Sequence, residues 1–183
     1  LFGVNPDIAV FAKAMGDGFP MAAIIGREEV MQAAQKTFIS STYWTERIGP
    51  TAALATIKKM KKENVPAHLK KIGKMIGDGW KKMAKKHGLK INVLGPEALI
   101  TFSFDYGLDS QAIRTLFTQE MLRRGFLASG SVYVSFAHKE NHVKKYLAEV
   151  DEVFGIIEAA INGKKVRSLL KGPIAHSSFK RLT

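Results

Sequence analysis

The 183-residue chain has no cysteine. That excludes disulfides and thiolate metal sites, and it suits a reducing, cytoplasmic compartment. Acidic residues are scarce as well: 16 Asp and Glu stand against 28 Lys and Arg, a formal charge of +12 at pH 7. No apolar run approaches the roughly 18 residues that a membrane-spanning helix needs, so no membrane anchor is expected. The first residues are strand-like rather than a basic segment followed by an apolar one, so no secretory signal is expected. Of the five histidines only His138 and His142 fall four apart, and they lack the His-Glu-x-x-His arrangement of a zinc helix. No metal site is expected.

Most of the positive charge is local. Between residues 58 and 90, twelve lysines face only Glu63 and Asp78, a local charge of +10. Leu69, Ile72, Ile76, Trp80, Met83 and His87 recur there at near-helical spacing, which leaves the lysines on the remaining faces. Nucleic-acid binding is the rival reading of such a patch. Only Arg27, Arg47 and Arg114 precede residue 120, however, and no aromatic side chains interleave with the lysines. A solvated lysine face is the better account, with attraction to polyanions at low salt.

What the chain does have is a lysine in an unusual setting. Ile8 to Ala12 is an apolar run of strand length without alternation, as expected of a strand covered on both faces. It leads directly into Lys13, then Gly16, Gly18, Phe19-Pro20 and a second apolar run, Ala22 to Ile25, ending at Gly26. Desolvation favours the neutral, nucleophilic form of an amine, so a lysine closing a covered strand suits Schiff-base chemistry. A lone lysine at a strand end would more simply reach out to solvent. Downstream, Thr45 is followed five residues later by Pro50, and Thr51-Ala52-Ala53-Leu54-Ala55 opens an alanine-rich helix. A hydroxyl and free backbone N–H groups near a helix start suit a phosphate. Ser41 and Thr42 compete with Thr45 for that role, Glu46 and Arg47 place two charges beside it, and a plain turn-stabilising role for Thr45 stays open.

The run from Pro6-Asp7 through Lys13 to Gly26-Arg27 resembles the cofactor-lysine segment of class III aminotransferases, in particular their glutamate-1-semialdehyde aminomutase-like branch. Thr45 to Pro50 resembles the loop by which that family reaches the cofactor phosphate of the neighbouring subunit. Arg124-Gly125-Phe126-Leu127 and Val134-Ser135-Phe136-Ala137-His138, followed by a long helix, resemble its C-terminal domain. The resemblance implies an α/β architecture, a partial pyridoxal-phosphate-dependent transferase of fold type I. It also implies pyridoxal 5'-phosphate as cofactor, Lys13 as catalytic and cofactor-binding Schiff-base residue, and Thr45 as a cofactor-binding residue. The implied reaction is amino-group transfer or an aminomutase shift on a small amino donor or an amino-aldehyde or keto substrate. The implied assembly is a homodimer whose active site is shared between subunits, without specific nucleic acid or membrane partners. Tyr43 and Trp44 either line a substrate channel or pack the loop.

Two departures qualify this. The strand at Tyr133 to Ala137 has no arginine where other branches bind a substrate carboxylate. The family's ring-stacking aromatic, glycine-serine/threonine phosphate turn and pyridinium-pairing aspartate would lie upstream of Leu1. The chain therefore reads as a C-terminal fragment, for which a non-catalytic remnant or dimerisation module is the alternative, and a basic nucleic-acid-binding module a weaker one. Residues 1–65 read as the end of the large cofactor domain. Residues 66–183 read as a connecting helix and the small C-terminal domain with a basic tail.

The remaining pattern predicts helices over Glu28 to Gln35, Thr51 to Asn64 and Pro66 to His87, and one that Asp109 starts and Gly125 ends. Strands are predicted at Leu89 to Leu94, Leu99 to Phe104, Phe126 to Ala128 and Tyr133 to Phe136. A last helix carries one stripe from Val143 through Phe154 to Ile161, with His138 as its cap and Gly163 as its close.

Overall fold

The computed structural model describes residues 3–40 and 42–176. They form two compact units, Leu1–Val65 and Pro66–Thr183.

In the first unit, β1 (Ile8–Phe11) and β2 (Ala23–Gly26) form an antiparallel hairpin, with Ile8 opposite Gly26 and Phe11 opposite Ala23. Its mouth is closed by the Arg27–Asp7 ion pair at 3.0 Å and by the Arg27 N–H donating to the Asp7 carbonyl. The expectation of a strand covered on both faces is not met: Val10 on β1 and Ile24 on β2 are 66% and 60% exposed. The apolar run marks surface that nothing among the described residues covers. A short helix α1 (Glu28–Met31) continues as a 3₁₀ turn to Lys36, because the chain tightens at Gln32 instead of propagating the helix.

Helix α2 runs Ile48–Lys62, starting three residues before the predicted Thr51. Pro50 sits in its first turn, where an N–H has no intrahelical partner and a proline is tolerated. Basic Lys59, Lys61 and Lys62 end it, the sign that suits a helix C-terminus.

The second unit is built on α3 (Val65–Lys86), all but the first residue of which belongs to it. A three-stranded antiparallel sheet follows, in the order β3 (Ile91–Leu94), β4 (Leu99–Phe104), β5 (Ser131–Tyr133). Helix α4 (Ser110–Arg123) joins β4 to β5, and α5 (Glu140–Asn162) packs on α4. Helical periodicity places Ile72, Ile76 and Trp80 of α3 in one core with Val143, Val150, Phe154 and Ile157 of α5. Phe102 on β4 is the hub: its ring centroid lies 4.7 Å from Trp80, 5.2 Å from Phe117 and 6.0 Å from Phe154. Such packing adds about 0.5–1.5 kcal/mol per aromatic pair beyond area burial.

Three local expectations are corrected here. Phe126 to Ala128 is not a strand. Gly125 takes a left-handed φ of +82°, and the Phe126 N–H returns to the Met121 carbonyl at 3.0 Å, a helix-terminating turn. Asp109 makes no side-chain cap on α4; its carboxylate pairs instead with Arg167 at 3.2 Å. The N-cap of α5 is Lys139 rather than His138: His142 Nδ1 accepts the Lys139 N–H at 3.2 Å, whereas His138 accepts the Ser135 N–H one turn earlier.

Candidate active site

Lys13 opens a 3₁₀ turn, Lys13–Met15, two residues beyond the end of β1. Its φ is +54°, in the left-handed region that costs a non-glycine residue about 1–2 kcal/mol. Backbone strain of this kind persists only where the surroundings over-determine it, and it clusters at functional positions. Here the determinants are visible. The Gly16 N–H bonds the Lys13 carbonyl at 3.3 Å, and the Phe19 N–H bonds the Gly16 carbonyl at 3.2 Å. A Cβ on Gly16 would lie 2.2 Å from the Phe19 carbonyl oxygen, so only glycine closes this turn. The Lys13 side chain is exposed, and its Nζ has no ion-pair or hydrogen-bond partner among the described residues. The desolvated setting expected of it is absent from this chain, for the same reason that β1 is uncovered.

The Lys13 turn and the start of α2, which the Thr45 loop precedes, come together. Helix α2 packs on the Lys13–Met15 turn. At Gly49 a Cβ would stand 2.7 Å from the Pro20 carbonyl oxygen and 3.5 Å from the Met21 Cβ, so a glycine lets the helix start lie directly on the segment that follows the lysine. Thr45 closes the 42–45 turn just ahead of α2; it is exposed, and its hydroxyl has no partner among the described residues. Thr42 is exposed in the same turn, while Ser41 lies outside the described residues. Tyr43 and Trp44 are exposed as well, so packing of the loop by their side chains is not seen in this chain.

The start of α2 is not an empty anion cradle. Glu46 places one carboxylate oxygen on the Ile48 N–H and the other on the Gly49 N–H, the latter at 2.8 Å. An acidic group at a helix N-terminus satisfies orphan donors and complements the dipole. In the sequence Glu46 shows only as a charge beside the site; its reach to the helix N–H groups is set by the fold. A phosphate held here has the Thr45 hydroxyl available, but the donors of Ile48 and Gly49 only if Glu46 moves; the Glu46 and Thr51 N–H groups already bond the Tyr43 and Arg47 carbonyls. The cavity of about 300 Å³ beside β5 and the start of α5 is lined wholly by residues of the second unit, so neither Lys13 nor Thr45 borders it.

The glycine-closed Lys13 turn therefore lies against the helix start that Thr45 precedes, and comparison with known proteins shows the family of the chain. The model of the class-III aminotransferases matches residues 1–160, and the chain belongs to that family. It is 29% identical over 165 residues to a 3-aminobutyryl-CoA aminotransferase of Cloacimonas acidaminovorans, an alignment covering 84% of this chain and 40% of that protein. It is 31% identical over 173 residues to a glutamate-1-semialdehyde 2,1-aminomutase of Clostridium perfringens, with 84% and 40% covered. Among solved structures, the pyridoxal-phosphate internal aldimine form of the FumI protein of Sphingopyxis sp. MTA144 superposes with a TM-score of 0.77 at 21% identity. That superposition covers 87% of this chain and 39% of FumI. The fold is therefore a partial fold type I transferase, and the cofactor of the family is pyridoxal 5'-phosphate. The chain spans about 40% of the length of the curated relatives it matches.

Proposed function

We propose that this chain contributes the cofactor lysine and a phosphate-side loop to a pyridoxal-phosphate-dependent enzyme that moves amino groups. The observation that carries the proposal is the strained, glycine-locked backbone of Lys13, packed against the start of α2. In this reading Lys13 Nζ and the Thr45 hydroxyl would hold the cofactor, the hydroxyl on the phosphate side. When bound, the cofactor supplies an electron sink for the substrate carbon that loses its proton. Lys13 Nζ would then be the base that takes that proton from the substrate α-carbon. The short, hydrogen-bonded turn fixes where Nζ starts from, and base catalysis needs that reach. Gly16 lets the turn close so tightly beside the lysine. The substrate is a small amino donor with a keto or amino-aldehyde partner. The working assembly is a homodimer in which the Thr45 loop serves the site of the other subunit, and the setting is the cytoplasm. Transfer between two molecules and a shift within one use the same residues.

A second reading has its own observation. Glu46 already fills the N–H groups of Ile48 and Gly49, which suits a non-catalytic remnant or dimerisation module that holds no cofactor. Visible absorbance of the chain with added pyridoxal phosphate separates the two. The first reading expects a cofactor–lysine band that Lys13→Ala abolishes without unfolding the chain. No band beyond that of free cofactor favours the second, and a band that survives Lys13→Ala overturns the assignment of Lys13.

A further inference from the structure

The second unit contains a cavity of about 300 Å³ between β5, the start of α5 and the chain that follows α4. Phe126, Leu127 and Val132 give it an apolar wall. His138, His142 and Tyr146 also line it. A pocket at the lower end of the ligand-site size range, apolar with a few convergent polar groups, has the make-up of a small-molecule site.

The chemistry of the polar groups follows from their backbone partners. The Ser135 N–H donates to His138 Nδ1 at 3.0 Å, and the Lys139 N–H donates to His142 Nδ1 at 3.2 Å. A ring nitrogen that accepts a backbone N–H carries no proton itself, so each imidazole keeps its proton on Nε2. Neither Nε2–H has an acceptor among the described residues. Tyr146, 9% exposed, accepts the Trp80 indole N–H at 2.9 Å, and its own hydroxyl proton likewise has no acceptor among the described residues. Burial pushes the Tyr146 hydroxyl above its ordinary value, which keeps it a donor. Three residues that each carry a donor without an acceptor among the described residues thus line one apolar cavity, and no acidic side chain lines it. The acid nearest in sequence, Glu140, is paired with Lys71 at 2.5 Å.

We propose that this cavity binds a small apolar molecule ending in a carboxylate: the Nε2–H groups of His138 and His142 take the carboxylate, and the Phe126–Leu127–Val132 wall takes the apolar body. The site belongs to the second unit and does not depend on the role assigned to Lys13. The test is a titration of the full chain, with ¹⁵N-labelled histidine, using 3-phenylpropionate, its uncharged counterpart 3-phenylpropanol, and acetate. The acid should shift both Nε2–H signals saturably and bind about tenfold more tightly than the alcohol, the effect of a hydrogen bond to a charged acceptor. Acetate, lacking the body, should bind more weakly than 3-phenylpropionate. His142→Phe should weaken the acid by about tenfold and leave the alcohol unchanged. Because His142 also accepts the N-cap N–H of α5, Leu127→Glu is the second variant. Leu127 is 94% exposed, so the change leaves folding alone while setting a negative charge against the carboxylate. Equal binding of acid and alcohol, an acid affinity that neither variant alters, or no saturable shift overturns the proposal.

Discussion

Replacing Gly49 by alanine sets two effects of known size against each other. Alanine is favoured over glycine inside a helix by up to about 1 kcal/mol, and by less in a first turn. Against that, the new Cβ would sit 2.7 Å from the Pro20 carbonyl oxygen, a backbone atom that cannot rotate away, and 3.3 Å from Glu46 Oε2. Overpacking of this kind costs about 1–3 kcal/mol. The steric cost therefore wins, by roughly 1–2 kcal/mol, or about five- to thirtyfold in a local opening equilibrium. Hydrogen exchange read by peptide mass spectrometry is the assay, since local openings report regional stability. Gly49→Ala should accelerate exchange in residues 48–62 and in 13–21 together, with α5 unchanged. Ala55→Gly, at an exposed helix position, is the comparison: it costs about 1 kcal/mol by propensity alone and should leave 13–21 untouched. Slower exchange over α2 in Gly49→Ala would mean that helix propensity wins. The lysine turn would then not be pressed against the helix start, and the two motifs would not form one site.

Two further outcomes follow from the charges. Glu46→Ala removes the acceptor for the Ile48 and Gly49 N–H groups and should destabilise the start of α2 by about 1 kcal/mol, read by urea denaturation; unchanged stability would show that the cap is not formed in solution. Glu120, 6% exposed, is pushed up by burial, but hydrogen bonds from Gln119, Arg123 and Arg124 outweigh that and hold its carboxyl below the ordinary 4.5. A carboxyl depressed in the folded state contributes stability that is present above pH 4.5 and is lost as pH falls through the lower folded value. Glu120→Gln should therefore flatten the acid limb of stability against pH below about 5, and an unaltered limb would refute the network's role.

The sequence made the second unit legible because its signals are periodic. The stripe Val143, Tyr146, Val150, Phe154, Ile157 is one face of a helix whatever it packs on, and it became core. End signals were less reliable, since several groups compete for each. Asp109 was free to cap α4 and paired with Arg167 instead. Of two histidines near the start of α5, His142 alone stands three residues past Lys139 and so reaches its N–H. The Ile8–Ala12 run marks a strand, formed over Ile8–Phe11, but an apolar strand carries no mark of which residues cover it. At the candidate site, motif spacing pointed to Lys13 and Thr45. It could not show that Gly49 seats one motif on the other, nor that Glu46 fills the donors between them, because both depend on carbonyl and carboxylate positions that only the folded backbone sets.

The central claim, that Lys13 is the cofactor amine, is reached most directly by borohydride trapping and peptide mapping at substoichiometric pyridoxal phosphate. The chain is rich in competing lysines, and exposed ones such as Lys70 and Lys81 provide the internal baseline. If the strained turn presents a cofactor amine, the reduced adduct will concentrate on Lys13 well above that baseline, and total labelling will fall to the baseline in Lys13→Ala. Labelling of Lys13 no greater than that of Lys70 and Lys81 would contradict the assignment.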